Sequence, residues 1–126
     1  MPEPGASESI DVGPIEPVWL VEATYAPDAA ETRVPFRAEH IARLRQLKRQ
    51  RIVVEVGAFV DVSASIIILR AADEQAALDV CRSDVYLRNG VWVEIRARAF
   101  GRVTDGSAGE PDPARRDRAD DELRSG

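Results

Sequence analysis

Residues 51–70 read RIVVEVGAFVDVSASIIILR. Two β-branched runs, 51–60 and 65–70, flank a short turn at Asp61. Such a pair reads as two neighbouring strands. In the first run Ile52, Val54, Val56 and Ala58 fall on one face and Glu55 on the other. The second run, SIIILR, is continuously apolar between Ser65 and Arg70. That pattern predicts burial on both faces, and so an interior place in a sheet.

The flanks extend this core in both directions. Upstream, apolar residues recur at helical spacing over 33–50, with Ile41, Leu44 and Leu47 in the stripe and Phe36 near its start. Pro35 is tolerated there because the first turn does not use its missing N–H. Before it, residues 18–25 (VWLVEATY) form a β-branched and aromatic strand closed by Ala26-Pro27-Asp28. Downstream, Asp73 is a fitting N-cap for a helix over 73–82, with Ala76, Ala77, Leu78, Val80 and Cys81 on its apolar side. Residues 83–90 read as a loop or one helical turn stopped by Gly90. A last strand follows over 91–103, in which Val91, Val93, Ile95, Ala97 and Ala99 alternate with Trp92, Glu94, Arg96, Arg98 and Phe100.

The resulting order, β-α-β-β-α-β, predicts an α+β, ferredoxin-like fold with a four-stranded antiparallel sheet. In that topology the first and third strands are central. The charge distribution agrees, because the third strand lacks charge up to its end and the first holds only Glu22, while the other two alternate charges as edges do. Both helices then cover one face. The other would carry Trp92 and Phe100 beside Glu94, Arg96 and Arg98, which predicts a homodimer packed sheet to sheet.

The ends read differently. Residues 1–16 hold four acids and no base, and residues 104–126 hold seven acids and four arginines. Both are rich in Pro, Gly, Ser and charge, and are expected to be disordered arms. The domain is expected at 17–103, where thirteen bases face eleven acids. The net charge of −5 over 126 residues therefore belongs to the arms. An acidic chain without a basic patch argues against nucleic-acid binding. No run approaches the roughly 20 apolar residues of a membrane span, so no membrane partner is expected. The acidic start lacks the apolar core of a signal peptide, and a single cysteine forms no internal disulfide, so a cytoplasmic location is expected. One histidine and one cysteine cannot build a finger-type zinc site. Neither a phosphate-binding glycine loop nor a G-x-S-x-G elbow is present. No cofactor and no metal are expected, and the partner class is a small-molecule substrate.

The one histidine, His40, lies at the margin of the first helix's apolar stripe. Arg37 and Arg33 precede it by three and seven residues, a spacing that puts all three on one side of a helix. Two cations favour the neutral imidazole, which accepts a proton. The plainer alternative is a helix-edge histidine bonded to a backbone carbonyl. Asp84, two residues before Tyr86, is able to orient an imidazole or bind a substrate hydroxyl, or simply to cap a turn. Cys81 reads as a buried small hydrophobe.

Residues 37–44 (RAEHIARL), Gly57, and Ser83-Asp84-Val85-Tyr86 followed by Gly90-Val91 together resemble the YCII-related family. The resemblance covers nearly all of 17–103. It differs at three places. The family's Gly-Pro stands here as Gly57-Ala58, its Asp-Pro as Asp84-Val85, and a glycine before the third strand is replaced near Ser63-Ala64-Ser65. The resemblance implies a dimeric α+β barrel with His40 and Asp84 as the active pair and with Arg37 and Tyr86 lining the same pocket. Similar proteins include a dehydrochlorinase of a chlorinated hydroxyquinol. The function expected is a cofactor-independent lyase, isomerase or cyclase with His40 as general base, Asp84 as its partner, and Arg33, Arg37 and Tyr86 binding a cyclic or aromatic substrate, with a cyclase of secondary metabolism as one version. The alternatives are a non-catalytic dimeric ligand-binding or accessory module, and a haem-dependent monooxygenase with His40 as axial ligand.

Overall fold

Strand β1, Ile15–Tyr25, pairs antiparallel with β3, Ala64–Leu69, in a register that sets Val21 opposite Ile67 and Glu22 opposite Ile66. β2, Val53–Ala58, pairs antiparallel with the other edge of β3. With β4, Trp92–Val103, the sheet order is β2-β3-β1-β4. The two apolar strands are thus central and the two charged ones are edges. The computed structural model describes residues 13–106, within which Pro17–Arg102 forms one compact unit. The arms expected at 1–16 and 104–126 fall mostly outside the described residues, and β1 begins at Ile15, three residues before the sequence pattern places it. Among the described residues no helix is long and apolar enough to cross a membrane.

The helices lie between the strands that the sequence order requires. α1 is short, Ala29–Thr32, and a 3₁₀ turn at Val34–Phe36 leads into α2, Arg37–Arg49. Pro35 sits at the start of the 3₁₀ turn, where no helical N–H is needed. α2 is built from strong helix formers and ends where Arg51 turns to a φ of 67°. The helix is therefore shorter than 33–50, and Arg33 lies outside it. α3, Glu74–Arg82, starts at Asp73, whose carboxylate accepts the Ala76 N–H at 2.8 Å. α4, Val85–Arg88, is a single turn capped by Asp84, and Gly90 follows with a φ of 74°.

The core lies between sheet and helices. Val21, Ala23, Ile67, Leu69, Ala77, Tyr86, Val91 and Trp92 are all buried there. Each large apolar side chain of this set contributes about 1.5–3 kcal/mol by leaving water.

Two sequence readings of strand faces are corrected. In β2 the register slips between Val53 and Glu55, because Val54 is an extra residue opposite β3. The bulge turns Val53 and Val56 toward the core, where the simple alternation assigns Val54 and Val56. Trp92 does not lie on the open face of the sheet. It is 2% exposed and packs among the helix-side residues, as do Ile95 and Ala97 further along the strand. The chain enters β4 from the α4 turn, with Val91 N–H bonded to Tyr86 O and Ala26 N–H to Val91 O, and both Val91 and Trp92 are buried there. The open face keeps Ile66 and Ile68 half-buried beside Glu55, and Phe100 stays 40% exposed. Burial of β3 on both faces is thus incomplete within one copy of the chain.

Candidate active site

His40, Leu44 and Leu47 follow one another by four and three residues along α2. The helix docks through Leu44 and Leu47, so the same stripe carries His40 inward, where only 4% of it stays exposed. Asp84 arrives from a different part of the chain. Its extended backbone makes it the N-cap of α4, and its Oδ1 accepts the Tyr86 N–H at 2.9 Å. The same Oδ1 stands 2.8 Å from His40 Nδ1. Asp84 is completely buried. The cap of α4 and the neighbour of the imidazole are thus one carboxylate.

The hydrogen-bond roles follow from the chemistry of the groups. The other carboxyl oxygen, Oδ2, faces Arg43 Nη1 at 3.4 Å, and Arg43 Nη2 donates to Val80 O at 2.8 Å. Every polar neighbour of Asp84 is therefore a donor. A carboxylate only accepts, so against an ionised Asp84 it is His40 Nδ1 that carries the hydrogen, and in a neutral ring the lone pair then lies on Nε2. Nε2 makes no hydrogen bond to a described residue. The buried side-chain polar atoms without a partner, among the described residues, are Thr32 Oγ1 and Trp92 Nε1, so Nε2 retains contact with solvent.

Aromatic rings hold the imidazole in place. Tyr86 stacks on His40 with ring centres 3.6 Å apart and planes 12° from parallel. Trp92 meets both rings edge to face, at 5.3 Å from His40 and 5.7 Å from Tyr86. Tyr25 closes the cluster 6.2 Å from Tyr86, and its hydroxyl accepts from Ser65 Oγ at 3.1 Å. Burial pushes the Tyr86 phenol above its ordinary value of 10.0, with the Tyr25 phenol adding to the rise; Arg33 and Arg37 pull it down, and Asp84 adds to the rise. The phenol is thus kept protonated as a hydrogen-bond donor, and the charges of both arginines reach it. Arg33 is half-buried after α1, and Arg37 is exposed at the first turn of α2. Neither pairs with a carboxylate among the described residues.

The structure brings His40, Asp84 and Tyr86 into contact, whereas Arg33, which lies outside the helix of His40, and Arg37 are linked to them only through their charge on Tyr86. Two contributors were missed. Arg43 follows His40 by three residues, a spacing that was legible in the sequence. Trp92 was assigned to the wrong face. Cys81 lies near Asp84 but is no nucleophile at neutral pH. Burial first, and the Asp84 charge second, push its thiol up to about 12 against the opposing pull of Arg43. Among the described residues no group of three or more His, Cys, Asp or Glu stands close enough to hold a metal. A groove of about 260 Å³ runs along β2 and β3, lined by residues such as Glu55, Phe59, Ile66 and Ile68, away from the histidine.

Comparison with known proteins places this geometry in context. An uncharacterized protein of Haemophilus influenzae is 25% identical over 95 residues, which cover 68% of this chain and 97% of that protein. A 5-chloro-2-hydroxyhydroquinone dehydrochlorinase from Burkholderia phenoliruptrix, solved in complex with 2,5-dihydroxybenzoquinone, shares the fold. Its TM-score is 0.58 at 17% identity, over 66% of this chain and 92% of the other. The model of the YCII-related domain matches residues 18–100, from within the central strand β1 through most of β4 and with His40 and Asp84 inside the match, and the chain belongs to the YCII-related family.

Proposed function

We propose that the protein is a cofactor-independent lyase, isomerase or cyclase acting on a small cyclic or aromatic substrate, with His40 as its general base. The observation that carries this reading is the 2.8 Å contact of His40 Nδ1 with the buried Asp84 carboxylate. It leaves the Nε2 lone pair as the proton acceptor. Nε2 removes a proton from an activated carbon, and electron density moves onto a substrate oxygen. Arg33, Arg37 and the Tyr86 hydroxyl stabilise that developing enolate or phenolate. Asp84 stabilises the imidazolium that forms. The proton then returns to the substrate at another atom in an isomerisation, or leaves with the departing group in an elimination.

The unit that performs this chemistry is residues 17–103, assembled as a homodimer through the open sheet face. The half-buried Ile66 and Ile68 and the exposed Phe100 support that assembly. The dehydrochlorinase that shares the fold supplies the first probes. His40→Ala is expected to lower turnover of 5-chloro-2-hydroxyhydroquinone, or of whichever related hydroxylated ring the wild type turns over, by at least about 100-fold. An unchanged rate in a folded variant removes the reading. If no hydroxylated ring is turned over, and 2,5-dihydroxybenzoquinone binds without reaction and equally well to His40→Ala, the protein is a ligand-binding module.

A further inference from the structure

We infer that Arg43 is a positioning residue for His40, which keeps Asp84 a carboxylate and so holds the imidazole in the tautomer with its lone pair on Nε2. The inference rests on the reading of His40 as a base, and it adds a residue with no assigned role.

Three observations carry it. First, the guanidinium is itself anchored, because Nη2 donates to Val80 O at 2.8 Å while Nη1 faces Asp84 Oδ2 at 3.4 Å. Second, among the described residues Arg43 is the one permanent cation paired with Asp84. The other partner, His40, is charged only when it holds a second proton. Third, Asp84 Oδ1 is already occupied by the Tyr86 N–H and by His40, so among the described residues Oδ2 has Arg43 alone as ionic partner.

The consequence is a matter of proton bookkeeping. With Arg43 present, a neutral imidazole and an ionised Asp84 leave this buried group without net charge. With Arg43 removed, the same state leaves one bare negative charge in a site that water hardly enters, which is costly. The pair then takes up a proton. The proton goes to Nε2, giving an imidazolium, or to Oδ1, which then donates to Nδ1 while the ring hydrogen is carried on Nε2. In both of these states the Nε2 lone pair is lost, whereas a proton held on Oδ2, with Oδ1 still accepting from Nδ1, keeps it and overturns the inference. A mere strap between α2 and α3 has no such effect on the ring.

Since His40 is the only histidine, its ring nitrogens are read without assignment ambiguity in ¹⁵N-labelled full-length protein. At a pH of about 7.5, above the range in which a free imidazole is protonated, the wild type is expected to show one neutral species with hydrogen on Nδ1. R43Q keeps a polar amide donor but lacks the charge, and most of the Nδ1–H species is expected to disappear. R43K keeps the charge and is expected to keep that species. A folded R43Q with the wild-type ring spectrum overturns the inference. If R43Q does not fold, R43K decides the matter: retention of the Nδ1–H species supports the role of charge, and its loss overturns it. The measurement needs no substrate. A failure of the catalytic reading therefore appears as an active His40→Ala enzyme with an unaltered tautomer result, and a failure of this inference as the reverse.

Discussion

His40 Nδ1 and Asp84 Oδ1 meet at 2.8 Å although 44 residues of chain separate them. The oxygen that orients the imidazole also caps α4 through the Tyr86 N–H. One buried atom thus joins the helix after β1 to the turn before β4, and the stacking of Tyr86 on His40 comes from the same junction. Orientation of the imidazole and closure of the fold cannot be separated at this point.

Asp84→Asn tests that coupling. The amide oxygen still accepts the Tyr86 N–H, but the side chain no longer carries the charge that stabilises an imidazolium. Turnover is expected to fall by at least about 100-fold. Stability is expected to fall by about 1–3 kcal/mol, since the partners of a buried carboxylate are left poorly matched. Steady-state kinetics and a denaturant titration measure the two effects. A folded variant with full turnover contradicts the assignment of Asp84.

Tyr86 contributes a ring and a hydroxyl, and these separate by substitution. Tyr86→Phe keeps the stack on His40 and is expected to leave the melting temperature nearly unchanged. It loses the phenol donor, so kcat/KM is expected to drop by about 10–100-fold, the range of one hydrogen bond to a charged group. Tyr86→Ala removes the ring as well and is expected to cost about 3–5 kcal/mol of stability. Equal activities for wild type and Tyr86→Phe would show that the hydroxyl takes no part.

Cys81 makes stability depend on alkaline pH. In the unfolded chain its thiol ionises near 9.0, and in the fold only near about 12. Above the lower value the unfolded state loses a proton that the native state keeps, so rising pH favours unfolding. The contribution is fully present below pH 9.0 and is lost as pH rises through about 12. Denaturation followed across that range is expected to show a shallower decline for Cys81→Ala than for the wild type. A thiol reagent at neutral pH is expected to react only at the rate of opening of the native protein.

Ile68 tests the proposed dimer. It is half-buried on the open face, opposite Glu55 on the edge strand. Light scattering coupled to size exclusion is expected to give a dimer mass for the wild type. Ile68→Glu places a charge in each copy of the buried seam and is expected to give a folded monomer. A wild-type mass of one chain at every concentration rules the dimer out.

The strands and their order were legible because period-two and uninterrupted apolar runs report burial directly, as 65–70 does for β3. The faces of β2 and the start of β4 were not. A single bulged residue, Val54, reverses the alternation, and nothing in the composition of 51–60 marks it. Trp92 follows the packing demand of His40 and Tyr86 instead of the pleat of its strand. Arg33 illustrates a related limit, since helical spacing does not carry through the 3₁₀ turn at Val34–Phe36 that separates it from α2.

The sequence by itself determined the element order, the central position of β1 and β3, the caps at Asp73 and Asp84, and the inward stripe of α2 that carries His40. These are local properties, set by propensity, periodicity and backbone chemistry within a few residues. Only the tertiary structure decided that Asp84 reaches His40, that Arg43 completes the carboxylate's shell, and that Trp92 closes around the imidazole. Each of these depends on the distance between segments more than 35 residues apart, and such distances are set by how the helices pack on the sheet, which no local pattern encodes.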